Sequence, residues 1–142
     1  MDLIKYLEFK EKLRNELENE LSPESIERAR KDPHARRYPR PCGMTIHTGI
    51  GCTYSCTYCY IYDMGFPHKV QPYPLSDKEL LYALTLNPYV VLGPGGTMLA
   101  MGSVTEPFLP ETRIGLSSIL KFLVHSVIHC KLVASPYSMT SI

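Results

Sequence analysis

The sequence predicts an α/β fold: an open run of β/α units from residue 44 onward, behind an N-terminal helical and basic lead segment spanning residues 1–43. Three observations predict it. Two short runs, Met44–Gly49 and Thr97–Met101, are rich in β-branched or apolar residues and bounded by glycine, the pattern of buried strands. A capping box, Ser76-x-x-Glu79, opens a helix between them. Ahead of residue 44 the apolar positions instead recur at three- and four-residue steps. Strand, helix, strand and helix in alternation imply a parallel sheet with crossover helices.

Each element follows from local chemistry. Leu3, Ile4, Leu7, Leu13, Leu17 and Leu21, with Tyr6 and Phe9 beside them, predict an amphipathic helix over Leu3–Glu20. Ser22-Pro23 restarts the chain as N-cap and first helical residue, and a second helix runs to about Arg30. Pro33, Pro39 and Pro41 hold 32–43 out of regular structure, so this basic stretch reads as a linker or surface arm. Met44–Gly49 is the first core strand, and Pro67–Pro74 is irregular. A helix covers Asp77 to about Leu86. Gly93-Pro-Gly-Gly96 makes a turn into the strand Thr97–Met101. A further helix starts near Glu111 or Thr112 and runs to about Val124. Val127–Ala134 is its extension or a third strand, because periodicity alone does not separate the two for a short apolar run.

Composition sets bounds. The chain has 142 residues and 44% apolar content, enough for one domain with a packed core. A formal net charge of +1 selects no partner, but its distribution is uneven. Glu8, Glu11, Glu16, Glu18, Glu20 and Glu24 make the start acidic, and Arg28, Arg30, Lys31, Arg36, Arg37 and Arg40 make the next stretch basic. Met1–Leu21 is charged throughout and lacks the apolar core of a secretory signal. Leu116–Val133 is broken by Lys121, His125 and His129, short of the roughly 20 apolar residues that a membrane span needs. A soluble, cytoplasmic protein without a membrane partner is the expectation.

The chemistry concentrates in Cys52-Thr-Tyr-Ser-Cys56-Thr-Tyr-Cys59. Three thiolates spaced by three and then two residues can hold three irons of a [4Fe–4S] cube and leave the fourth iron without a protein ligand. Five cysteines, three of them in one loop, do not make a secreted disulfide framework. A structural zinc site using the three with Cys42 or His47 remains an alternative. It lacks the second ligand pair that such sites usually present. The loop follows a strand, where β/α folds gather their ligands. Gly49 and Gly51 ease the backbone there. Tyr54, Tyr58, Tyr60 and Tyr62 surround the loop with rings that can restrict water and oxygen and offer a flat face to an adenine.

With Tyr58 before the last cysteine, the motif resembles the signature of the radical S-adenosylmethionine (radical SAM) superfamily, Cys-x3-Cys-x-aromatic-Cys. The resemblance implies a partial (β/α) barrel, a [4Fe–4S] cluster on Cys52, Cys56 and Cys59, and S-adenosylmethionine (SAM) on the open iron. Reductive SAM cleavage to a 5′-deoxyadenosyl radical, followed by hydrogen abstraction from an unknown substrate, is the implied reaction. The backbone near Tyr58 is placed by it against the adenine. An external one-electron donor of flavodoxin or ferredoxin type is implied, since no flavin or nicotinamide motif is present.

Gly102-Ser-Val-Thr-Glu-Pro107 stands where that family carries a Gly-Gly-Glu-like motif for the SAM amino group. It departs from it with Ser103 and a later acid, which leaves Gly102, Ser103, Thr105 and Glu106 as candidate acceptors for an ammonium. Thr105-Glu-Pro-Phe-Leu-Pro110 is similar to the Thr-Asp-Pro-Tyr-x-Pro segment of the spore photoproduct lyase-like branch, with Glu106 and Phe108 as replacements. The resemblance covers about Thr45–Val124. Against it stands a second class, a non-catalytic iron–sulfur or zinc-binding module.

Weaker signals are read as structure. Arg28–Arg40 can contact phosphates, so nucleic acid is a conceivable partner, although a solvated arm is the commoner outcome. His125 and His129 lack the glutamate at 126 of a zincin. Cys42 and Cys130 read as core thiols. A complete eight-unit barrel takes about 250 residues, so the chain is expected to be an N-terminal fragment of a longer radical SAM protein. Ser135–Ser141 is not a recognisable edge cap.

Overall fold

The computed structural model describes residues 2–41, 43–93, 96–106, 108–114, 117 and 130–132, the last three by their backbone. Its first helix, α1 (Leu3–Glu20), has the predicted bounds. Leu17 is buried, and Phe9, Leu13 and Leu21 pack on the core, whereas Leu3, Ile4 and Leu7 stay exposed. The helix α2 (Pro23–Lys31) carries Ser22 as N-cap, its Oγ accepting from the Ser25 N–H at 3.2 Å, with Pro23 at the first turn. These local signals are short-range, which is why they survive in the folded chain.

Three strands form an open parallel sheet: β1 (Met44–Ile46), then β4 (Leu99–Met101), then β5 (Cys130–Leu132), in chain order across the sheet. Met44 pairs with Leu99 and Ile46 with Met101; Leu99 pairs in turn with Cys130. The helix α3 (Asp77–Leu86) crosses between β1 and β4, as a parallel pair requires. The fold is therefore mixed α/β, with no closed barrel among the described residues. Helical residues 110–114 begin the next crossover. The remainder of the predicted helix to Val124, His125, His129, the segment 133–142, Cys42 and the Cys130 side chain lie outside the described residues. So do Pro94, Gly95 and Pro107, although Gly96 N–H bonds to the Gly93 carbonyl at 3.0 Å as the expected turn requires.

The core sits between the sheet and the helices. Leu80, Tyr82 and Leu84 of α3 share one core cluster with Met44, Ile46, Leu99 and Met101, all at most 2% exposed. The helix α1 also closes the end of α3. Lys10 Nζ donates to the carbonyls of Asn87 and Val90, and Arg14 donates to that of Thr85 at 2.7 Å. The last carbonyls of a helix lack intrahelical donors and carry negative partial charge, so cations suit them. Burial, followed by the Arg14 charge, lowers the Lys10 pKa to about 8.

Residues 32–40 depart from the expected surface arm. Pro33–Ala35 form a 3-10 turn capped by Asp32, and His34 is fully buried. Asn87, buried behind α3, donates from Nδ2 to the His34 and Arg37 carbonyls at 2.9 Å each. Prolines kept the segment from α-helix, apart from the single 3-10 turn that Pro33 opens; buried polar pairing then fixed it to the core. The irregular stretch 67–74 departs in a smaller way. Its Gln71–Pro72 (β3) pair antiparallel with Gly49–Ile50 (β2). Pro72 has no N–H to extend the ladder.

Candidate functional site

The β2–β3 ladder is the neck of an excursion, residues 51–70, that carries all three loop cysteines. It leaves the sheet just beyond the C-terminal end of β1. At its neck Gly51 has φ +83°, and its N–H reaches the Val104 carbonyl at 3.0 Å. A Cβ there would meet the Lys69 and Pro67 carbonyl oxygens, so only glycine fits. Gly49 lacks a positive φ but is equally confined, because a Cβ would lie 2.7 Å from Thr112 Cγ2.

Within the excursion Cys52 is buried, Cys56 and Cys59 are half-buried, and all three thiols are free. The Cys59 N–H bonds to the Cys56 carbonyl at 3.0 Å, closing the turn between them. Tyr62 staples the loop: its hydroxyl donates to the Cys52 carbonyl at 2.8 Å and accepts from the Ser55 N–H at 3.0 Å. Ser55 holds φ +50°, a left-handed conformation that a non-glycine residue adopts at some cost. His68 stacks on Tyr62 with ring centroids 3.9 Å apart, and its Nδ1 lies 3.0 Å from Ser55 Oγ. Cys52, Ile61, Val70 and Leu109 form the small apolar cluster beneath.

The tyrosines divide. Tyr62 is half-buried and structural, whereas Tyr54, Tyr58 and Tyr60 are exposed, Tyr58 at 73%. Tyr60 ties the excursion to the loop after β4, its hydroxyl donating to the Ser103 carbonyl at 3.3 Å. In that loop Gly102 has φ +88°, and Ser103 Oγ stands 3.5 Å from His47 Nδ1. Thr105 and Glu106 are buried. The Glu106 carboxylate accepts the Phe108 N–H at 3.3 Å, and its carbonyl accepts the Thr112 hydroxyl at 2.8 Å. Glu106 thus helps to start the helical residues 110–114. Thr105 Oγ1 and Thr48 Oγ1 are buried without a hydrogen-bond partner among the described residues.

A second group flanks the excursion. Asp32 accepts from the His34 N–H at 2.9 Å, from His34 Nδ1 at 2.6 Å and from the Tyr73 hydroxyl at 2.8 Å. With its Nδ1 protonated, His34 accepts the His47 backbone N–H on Nε2 at 3.2 Å. Arg37 donates to His47 Nε2 at 2.9 Å. Burial, with the His34 and Arg37 charges, lowers the His47 pKa to about 4, so its ring is neutral at neutral pH. Burial also lowers His34, against the opposing hydrogen bond that its ring donates to Asp32. Sequence reasoning missed this network. The Asp32-Pro33 pair repeats the Ser22-Pro23 cap pattern and would have marked the turn.

A cleft of about 830 Å³ lies between the two groups, lined by Arg37, Arg40, Thr45, His47, Tyr60 and Ser103 among others. Of the residues predicted to contact a cofactor, Ser103 alone borders it.

The donor set fits an iron–sulfur cluster in chemistry: three unpaired thiols in eight residues, on a glycine-necked loop at a strand end. Among the described residues, however, no three His, Cys, Asp or Glu side chains converge closely enough to hold a metal ion. Ligation would have to draw the thiols together, consistent with the coupling of metal binding to local folding. No family model matches the chain, and neither a curated protein nor a solved structure matches it. No helix among the described residues is long and apolar enough to cross a membrane.

Proposed function

We propose that this chain is a cytoplasmic radical SAM iron–sulfur protein whose β/α units belong to a partial barrel. The observation that carries the proposal is the Cys52-x3-Cys56-x2-Cys59 trio, unpaired and set in an excursion beyond the end of the first parallel strand. When bound, a [4Fe–4S] cluster and SAM supply a reductively generated 5′-deoxyadenosyl radical that abstracts hydrogen from a substrate. Cys52, Cys56 and Cys59 would hold the cluster as thiolates. Cys52 brings its backbone already fixed by Tyr62.

Gly102 and Ser103 offer carbonyls to an ammonium, and the Ser103 carbonyl also accepts the Tyr60 hydroxyl. Thr105 and Glu106 are better suited to holding that loop in place than to direct contact, being buried. Tyr58 is largely exposed and would lie beside an adenine. An external one-electron donor completes the system. A non-catalytic metal-binding module is the second reading, since the same three free thiols suit iron–sulfur or zinc ligation without any SAM chemistry.

Anaerobic reconstitution with iron and sulfide tests the proposal. The expected product is brown, with broad charge-transfer absorption and three cysteine ligands per cluster. Serine at position 52, 56 or 59 should abolish the colour. Added reductant and SAM should then yield 5′-deoxyadenosine. A cluster that never cleaves SAM supports the binding module, and a colourless zinc protein overturns both iron readings.

A further inference from the structure

The basic segment divides into two kinds of cation. Arg28 contacts the Glu79 carboxylate, Arg30 lies 4.0 Å from Glu18, and Lys31 lies 3.2 Å from Glu27. Arg36 donates to the Lys31 carbonyl at 3.0 Å. Arg37 and Arg40, which line the cleft, have no carboxylate within ion-pair distance among the described residues. Asp32, the acid of the adjoining network, is already taken by His34 and Tyr73.

We propose that Arg37 and Arg40 form an oxyanion subsite in this cleft, which takes the phosphate or carboxylate group of a small-molecule ligand. Both arginines are anchored through their backbones. Arg37 N–H bonds to the Pro33 carbonyl at 2.8 Å, and Arg37's own carbonyl is held by Asn87. Arg40 and Gly43 exchange two backbone hydrogen bonds, at 2.9 and 2.8 Å, across a glycine with φ +119°. One guanidinium nitrogen of Arg37 is held by the neutral His47, which orients the fork without cancelling its charge. A guanidinium fork matches the paired oxygens of carboxylates and phosphates.

No acidic residue lines the cleft among the described residues, while Thr45, Ser103 and Tyr60 add hydroxyls. Its volume suits a small molecule. Two positive charges favour a phosphate monoester over a carboxylate, and the exposed rings of Tyr38 and Tyr60 give the rest of the ligand flat apolar surface. The subsite needs no iron, so its fate is separable from that of the cluster.

The test is calorimetric titration of the metal-free full chain at fixed ionic strength, with inorganic phosphate and L-methionine as separate probes. Phosphate should bind, and Arg37→Gln or Arg40→Gln should weaken it about tenfold or more, as loss of a charged hydrogen bond requires. Arg113→Gln, an exposed charge that does not line the cleft, should leave binding unchanged. Arg37→Lys, which keeps charge but loses the fork, should fall between wild type and Arg37→Gln. Circular dichroism confirms that each variant is folded. L-methionine bound instead, with the same arginine dependence, supports an amino-acid carboxylate as the source. Binding of neither probe, or equal weakening by Arg113→Gln, overturns the subsite.

Discussion

The helical face of the sheet and the cysteine excursion are held by different forces. On the helical face, Leu80, Tyr82 and Leu84 of α3 share one core cluster with Met44, Ile46, Leu99 and Met101, all almost wholly buried. The excursion has four buried side chains beneath it, Cys52, Ile61, Val70 and Leu109, and exposes Tyr54, Tyr58, Tyr60 and Met64. Its shape rests on the Tyr62 hydroxyl, a glycine neck and a two-residue ladder. Apolar burial dominates folding free energy, so the first region carries most of the stability, whereas the second depends on a few hydrogen bonds and opens more easily.

The largest test of this difference is a matched pair of truncations. Leu84→Ala, at a site 1% exposed, should cost about 2–5 kcal/mol through lost burial and a cavity. Met64→Ala, at a site 62% exposed, should change stability by less than about 0.5 kcal/mol. Urea unfolding of both variants reads the result. Similar midpoints for the two would mean that the excursion is as tightly packed as the sheet.

The Asp32 network joins the two regions and sharpens the contrast through pH. Asp32→Ala leaves the buried His34 N–H groups without their acceptor and should cost about 1–3 kcal/mol. Burial pushes the Asp32 carboxyl up, but hydrogen bonds from His34 and Tyr73 outweigh it and set the pKa below its ordinary value. Burial lowers His34 and lowers His47 from 6.5 to about 4. Below pH 6.5 the unfolded chain therefore takes up imidazole protons that the folded chain refuses, and stability falls. The His47 contribution is lost progressively between 6.5 and about 4. The Asp32 contribution holds above its ordinary 3.8 and goes only as pH drops through its lower folded value. Urea midpoints measured against pH should show a descent that begins near 6.5 and is shallower in His47→Gln. A flat profile between pH 7 and 4 would refute the buried-histidine account.

What was legible beforehand follows the range of the interactions. The bounds of α1, the Ser22-Pro23 cap and the Ser76 box are set by residues within four positions of each other, and each formed as read. The strands read as Met44–Gly49 and Thr97–Met101 formed shorter, as Met44–Ile46 and Leu99–Met101; they were legible because buried parallel strands are largely apolar along their length. The ladder of Gly49–Ile50 with Gln71–Pro72 was not, since two residues carry no period and one is proline. Nor was the fate of the basic segment. Charge pattern gives the cations, but their partners, such as Glu79 for Arg28 and His47 for Arg37, lie far along the chain. The cysteine spacing put three free thiols in one loop, but spacing carries no information on how far apart the folded backbone holds them.

A last prediction tests whether the helical face owes anything to local signals once its core is packed. Ser76 Oγ accepts the Glu79 N–H at 3.2 Å, and the Glu79 side chain returns the bond to the Ser76 N–H at 3.2 Å. Ser76→Ala deletes only the first arm, because the returning arm uses backbone. The cost should be about 1 kcal/mol, below that of Asp32→Ala. The Glu79 carboxylate also holds Arg28 of α2, so the box couples the crossover helix to the lead segment as well as capping it. If Ser76→Ala lowers the urea midpoint while Met64→Ala does not, a single hydrogen bond at the helix start outweighs a whole side chain in the excursion. No shift in Ser76→Ala would mean that burial of Leu80, Tyr82 and Leu84 fixes α3 without help from its cap.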